Sequence, residues 1–195
     1  MKLKSISSIA FLTSISLFAT AQIDDEVPGE MLARMQQLGE ELATPTSQHD
    51  FLAQMAGEWS TSTSVLDMDP SIGSASYTMI FGNRFLDGMH NGSVTNIPFE
   101  GRLTIGFDTY KHKFTASFID NLGTSMRSAE GLLDKTGKVL SLWGTMDEWM
   151  TDEHDKPVLY RYAILDKDHF TFEVHDLSVV SSTLVIKVSY ERISH

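Results

Sequence analysis

The chain of 195 residues contains no cysteine. Disulfides, thiolate metal sites and a cysteine nucleophile are therefore excluded, and packing and strand pairing alone must hold the fold. Positive charge is also scarce. The formal net charge of -11 argues against nucleic acid and anionic membrane surfaces, both of which are polyanions. Beyond the first residues no hydrophobic run approaches the length of a membrane span. Several catalytic and binding signatures are missing too. There is no His-Glu-x-x-His, no histidine pair at i, i+4, no Gly-x-Ser-x-Gly and no glycine-rich loop opening a helix. No internal repeat or low-complexity segment is visible.

What is present begins with an export signal. "MKLKSISSIAFLTSISLFATA" carries Lys2 and Lys4, then an apolar, serine-diluted run from Ile6 to Phe18, then Ala19-Thr20-Ala21. Small residues at the two positions read by a signal peptidase predict cleavage before Gln22. The run is too short and too polar for a spanning helix, and no cysteine follows it to carry a lipid. Three segments follow from this: a secretory signal peptide at 1–21, a tail with an amphipathic helix at 22–47, and a β-barrel domain at 48–195.

Two helical patterns precede the strands. In "GEMLARMQQLGEEL", Met31, Leu32, Met35, Leu38 and Leu42 form one apolar stripe. In "TSQHDFLAQMAG", Ser47 reads as the N-cap, Phe51, Leu52 and Met55 as the apolar face, and Gly57 as the stop. After Glu58 the period changes to two. Alternation recurs in "WSTSTSV", "ASYTMIF", "RFLDGMHNGSV" with Gly88 and Gly92 as bends, "FEGRLTIGFD" and "FTASFID". It continues in "SMRSAEGLLD", "VLSLWGTMDEW", "VLYRYAIL", "HFTFEVHDL" and "TLVIKVSYER", with "MTDEHDKP" read as a polar loop. About ten strands joined by short turns, with no helix between them, predict an antiparallel all-β sheet. Each strand has one apolar face, and closure into an up-and-down barrel removes the edges a flat sheet would expose. A two-sheet sandwich is the alternative architecture.

Gly57-Glu58-Trp59 after a short helix resembles the Gly-x-Trp opening of calycins, the superfamily of lipocalins and fatty-acid-binding proteins. The wider pattern is similar to the bacterial family called domain of unknown function 1579. It comprises His49 with Leu52, Gly57-x-Trp59, "PFEGRLTIGFD", "FIDNLGTSM", "EGLLD" and a closing Tyr190-x-Arg192. It runs from His49 to Arg192. Phe118 departs from it, standing where the family often has tryptophan. The resemblance implies a calycin-like barrel and no particular activity. It also implies that the arginine of the last strand, Arg192, covers the Trp59 indole and so closes one end, a structural role. Strand parity agrees, since Arg192 shares the face of Ile186, Val188 and Tyr190.

Parity on the remaining strands nominates Met79, Phe81, Leu103, Phe118, Tyr160, Tyr162, Phe172, Ile186 and Tyr190 as interior residues, with Trp143 on an ambiguous strand. From these, Met79, Phe81, Phe118, Trp143, Tyr160, Tyr162 and Tyr190 are the candidate ligand contacts. Aromatic rings, a thioether and phenolic hydroxyls suit an apolar ligand with one polar group, such as a fatty acid or lipid fragment. The same faces would equally pack a filled core. His175-Asp176 at a strand end is a candidate for a metal, and a single-histidine haem site is a further alternative; no metal ligand and no cofactor are assigned. Glu130 shares parity with Met126 and Leu132 and is a candidate interior carboxylate facing Arg102 or Arg127, although a plain ion pair explains it better. No catalytic residue is singled out. The preferred reading is a secreted or periplasmic binding protein for a small hydrophobic molecule. The alternatives are an envelope interaction module with a filled barrel, or an enzyme working at the barrel mouth.

Overall fold

A computed structural model of the chain describes residues 28–194 apart from 67, 95, 150 and 179–182. The expected signal segment at 1–21 and residues 22–27 of the tail lie outside the described residues. Helix α1 spans Pro28–Ala43 and helix α2 spans Ser47–Ala53. From Leu38 onward the chain forms one compact unit. Ten strands follow α2 among the described residues: β1 (Gly57–Val65), β2 (Ser71–Ile80), β3 (Phe85–Val94), β4 (Ile97–Asp108), β5 (Lys113–Asp120), β6 (Arg127–Leu133), β7 (Val139–Glu148), β8 (Glu153–Ile164), β9 (His169–Asp176) and β10 (Thr183–Arg192).

Each strand pairs antiparallel with its sequence neighbour, and β1 also pairs with β10, so the sheet closes on itself. The closing register sets Trp59 opposite Arg192 and Thr61 opposite Tyr190. This is the up-and-down barrel expected from period-two alternation without helical interruption, and the sandwich is excluded. Among the described residues no helix is long and apolar enough to cross a membrane.

Four local expectations are corrected. The N-cap of α2 is Thr46 rather than Ser47: its own N–H donates to His49 Nδ1 at 2.9 Å, and its hydroxyl accepts from Gln48 N at 3.4 Å. Gly88 and Gly92 do not interrupt β3; the ladder with β4 runs through both without a break. The predicted loop "MTDEHDKP" is largely ladder, because β8 starts at Glu153 and pairs back to Glu148. In β10 an irregularity between Leu184 and Ile186 inserts one residue, so Leu184 pairs with His175 while Ile186 pairs with Val174. Such a bulge turns Leu184 to the outer face, against simple parity.

Side-chain bulk is distributed unevenly along the barrel axis. At the end where β1 starts, Phe51, Leu52 and Met55 of α2 and its following turn join Trp59, Leu86, Ile105, Phe114, Leu140 and Phe170 in one buried cluster. That end is filled. Toward the other end several inward positions are small: Thr61 and Thr63 on β1, Gly73 on β2, Gly92 on β3, Ala116 on β5 and Ala129 on β6 all border open space. Interior positions of a small barrel fill only where side chains are large enough to reach the axis.

Candidate functional site

The small residues leave a cavity of about 280 Å³ in the open half of the barrel. This is near the lower end of the ~300–1,000 Å³ typical of small-molecule sites. Its wall is apolar, formed by Leu103, Phe118, Tyr160, Phe172, Ile186 and Val188. Phe118 stacks on Phe99 with centroids 6.4 Å apart, and Tyr160 stacks on Phe172 at 6.1 Å.

The floor is polar but uncharged. Tyr190 stacks flat on Phe170, with centroids 4.0 Å apart, and meets the edge of the filled end. Its hydroxyl lies 3.4 Å from the Tyr77 hydroxyl, which lies 3.0 Å from His90 Nε2. His90, Tyr162 and Tyr190 border the cavity, with Tyr77 behind them. Burial pushes the His90 imidazole down to about 4, so the ring is neutral at neutral pH. Burial pushes the phenols of Tyr77, Tyr162 and Tyr190 up, so they stay protonated.

Charge enters only near the mouth. Arg127 opens β6 and Asp120 ends β5; Arg127 Nη1 donates to Asp120 Oδ2 at 2.6 Å. The guanidinium carbon also lies 5.6 Å from the Phe118 centroid. Both charged residues border the cavity.

The opposite end is sealed by Trp59. Its indole is buried, and Nε1 donates to Met55 O at 2.9 Å. The Arg192 guanidinium carbon stands 4.1 Å from the indole centroid. The expected closure by Trp59 and Arg192 therefore has the geometry of a cation–π contact.

The structure brings four of the seven nominated contacts to one cavity: Phe118, Tyr160, Tyr162 and Tyr190. Three lie elsewhere. Met79 points inward but packs in the filled end, where its register partner is Leu86. Phe81 is 73 % exposed; β2 has ended at Ile80, and a left-handed backbone at φ 50 carries the ring out of the strand pattern. Trp143 is half exposed, because Leu140 and Leu142 take the inward parity of β7.

Glu130 forms the plain ion pair that explains it better, with Lys113 in place of Arg102 or Arg127, and the interior placement does not hold. It faces outward and pairs with Lys113 at 2.6 Å, while Ala129 and Leu133 of β6 pack against the core. The adjacent Leu132 and Leu133 blur the alternation on β6, and the inward residues there are mostly small, so parity misassigned the strand by one. That error hid Arg127. His90 is legible in principle, since Leu86, Gly88, His90 and Gly92 share one parity, but two glycines among the four positions leave that alternation with little apolar signal. His175 sits outside the barrel wall, 3.1 Å from Glu173 Oε2. Among the described residues no group of three or more His, Asp or Glu side chains gathers as metal ligands.

The barrel is similar to several solved structures. Rv2717c from M. tuberculosis aligns at a TM-score of 0.56 with 13% identity, over 77% of this chain and 100% of that one. The redesigned β-barrel b11L5F_LGL aligns at 0.41 with 11% identity, over 73% of this chain and 95% of that one. The redesigned barrel mFAP0, solved bound to DFHBI, aligns at 0.41 with 11% identity, over 71% and 99%. At such identities the likeness to Rv2717c shows a common fold alone. No curated protein matches the chain. The family described as "Protein of unknown function (DUF1579)" matches residues 44–192, from the cap of α2 to the arginine that covers Trp59, and the chain belongs to that family.

Proposed function

We propose that this protein is an exported binder of a small hydrophobic molecule, held inside the barrel. One observation carries the reading: the open half of the barrel encloses about 280 Å³ walled by aliphatic and aromatic side chains, while the other half is filled. A barrel that needed only stability would fill both halves, since unfilled interior space forfeits packing energy. Phe118, Tyr160, Tyr162 and Tyr190 are the proposed ligand contacts. Transfer of an apolar molecule into such a site is favourable by roughly 25 cal/mol per Å² buried, before the cost of immobilising it.

Export rests on the first 21 residues, with their lysines, apolar run and Ala-Thr-Ala close. Native mass spectrometry of the protein purified from the periplasm or medium tests both parts. The expected species begins at Gln22 and carries a co-purifying apolar molecule, or takes up an apolar fluorophore stoichiometrically. A mature protein that starts at Met1, or that binds no apolar probe, would contradict the corresponding part.

A further inference from the structure

The lining of the cavity narrows the chemistry of the ligand. Its floor presents Tyr190 and His90 joined through Tyr77, with hydroxyl to hydroxyl at 3.4 Å and hydroxyl to Nε2 at 3.0 Å. Such a relay can run in two directions. With the proton on the other ring nitrogen, His90 Nε2 accepts from Tyr77, and Tyr77 accepts from Tyr190. The Tyr190 oxygen then keeps a lone pair toward the cavity. With the proton on Nε2, the ring donates to Tyr77, Tyr77 donates to Tyr190, and the Tyr190 O–H is released to donate. A neutral imidazole exchanges its tautomer to suit, so the floor can serve either an acceptor or a donor on the ligand.

The same floor is poorly suited to an anion. Among the described residues that border the cavity, Arg127 is the one permanent cation, and it already bonds Asp120 at 2.6 Å near the mouth. A carboxylate at the mouth would meet Asp120 as well as Arg127. A carboxylate at the floor would lie among neutral phenols and a neutral imidazole, with its desolvation uncompensated by a cation. The net charge of -11 adds a repulsive field over the whole approach. A purely apolar molecule would forgo the hydrogen bond that the outer end of the relay offers.

On the reading that the barrel binds a small hydrophobic molecule, we infer that this molecule is an uncharged amphiphile. It has an apolar body ending in one hydroxyl or carbonyl oxygen, and it enters oxygen first to hydrogen-bond Tyr190 at the floor. The apolar body then lies along Phe118, Tyr160 and Phe172, with its far end toward the mouth.

The test is calorimetric titration of the mature protein with four probes on one medium-length alkyl chain: the alkane, the primary alcohol, the methyl ketone and the carboxylate, at neutral pH. The alcohol and the ketone are expected to bind about tenfold or more tighter than the carboxylate. In Y190F the alcohol-to-alkane affinity ratio should fall by about tenfold. The alkane reports whether the cavity still forms. If Y190F loses the alkane too, the infrared carbonyl band of the methyl ketone bound to the unsubstituted protein decides, because a hydrogen bond from the Tyr190 hydroxyl lowers its frequency relative to the ketone in alkane solvent. A carboxylate that binds as tightly as the alcohol, a ratio unmoved in a folded Y190F, or a ketone band unshifted on binding overturns this inference while hydrophobic binding stands. Failure of all four probes overturns hydrophobic binding itself.

Discussion

Trp59 and Arg192 are register partners across the seam where β1 meets β10, and the guanidinium carbon of Arg192 stands 4.1 Å from the indole centroid. The same guanidinium donates to three carbonyls: Nη1 to Ala56 O at 2.8 Å, Nη2 to Gln54 O at 2.9 Å and Nε to Lys167 O at 3.0 Å. One side chain thus ties the last strand to the first, to the turn after α2 and to the β8–β9 loop. Gly57 makes room for it. A Cβ there would collide with Arg192 Nη1, and the φ of 131 is one that residues with side chains rarely adopt.

Substituting Arg192 should therefore loosen the closure. R192A is expected to lower stability by about 2–3 kcal/mol, combining the cation–π contact with lost charge-assisted hydrogen bonds. R192K should recover only part of this, because an ammonium lacks the planar fork that reaches three carbonyls. Urea denaturation followed by circular dichroism measures both. A loss under about 0.5 kcal/mol for R192A would contradict this account of the seam.

Gly88 faces Tyr77 directly across the β2–β3 ladder, and the Tyr77 ring lies over it. A methyl group at this position would strike the ring. G88A is expected to cost about 1–3 kcal/mol by overpacking. It should also move the Tyr77 hydroxyl away from His90, visible as a change in the near-ultraviolet circular dichroism of the folded protein. An unchanged spectrum with unchanged stability would show that the ring is free to move aside.

The pH dependence of stability should carry the mark of His90. Its folded-state value is about 4 against an ordinary 6.5. Between these values the unfolded chain takes up the proton and the folded chain does not, so stability falls as pH drops. Above about pH 7 this group contributes no slope. The loss from pH 7 to 4 attributable to His90 is on the order of 3 kcal/mol. H90N, which cannot titrate, should show a correspondingly shallower fall in urea midpoint over this range. His49, also lowered by burial, titrates in both proteins and cancels in the comparison. Equal slopes would contradict the prediction.

Filling the cavity should separate binding from folding. Ala129 borders it from β6. A129F is expected to weaken uptake of an apolar fluorophore by about tenfold or more, with a stability change within about 1–2 kcal/mol, because the new ring occupies existing space. Fluorescence titration and urea unfolding supply the two readouts. Undiminished uptake in a folded variant would place the binding surface outside the barrel.

The barrel is legible in the residue order alone. Period-two alternation after Glu58, short turns and the absence of crossover helices leave few other ways to bury one face of ten strands. The sealed end is implied by the resemblance that Gly57-x-Trp59 and Tyr190-x-Arg192 carry, and closure makes their strands neighbours. The tertiary structure alone decided which inward positions pack and which border a cavity. Parity tells in from out but not depth along the axis, so Met79 and Tyr160 looked alike although one lies in the filled end and the other lines the cavity. It likewise decided the partners of His90 and Arg127. Those contacts join residues on separate strands, Tyr77 with His90 and Asp120 with Arg127, and follow from the register of a closed and tilted sheet rather than from any local pattern.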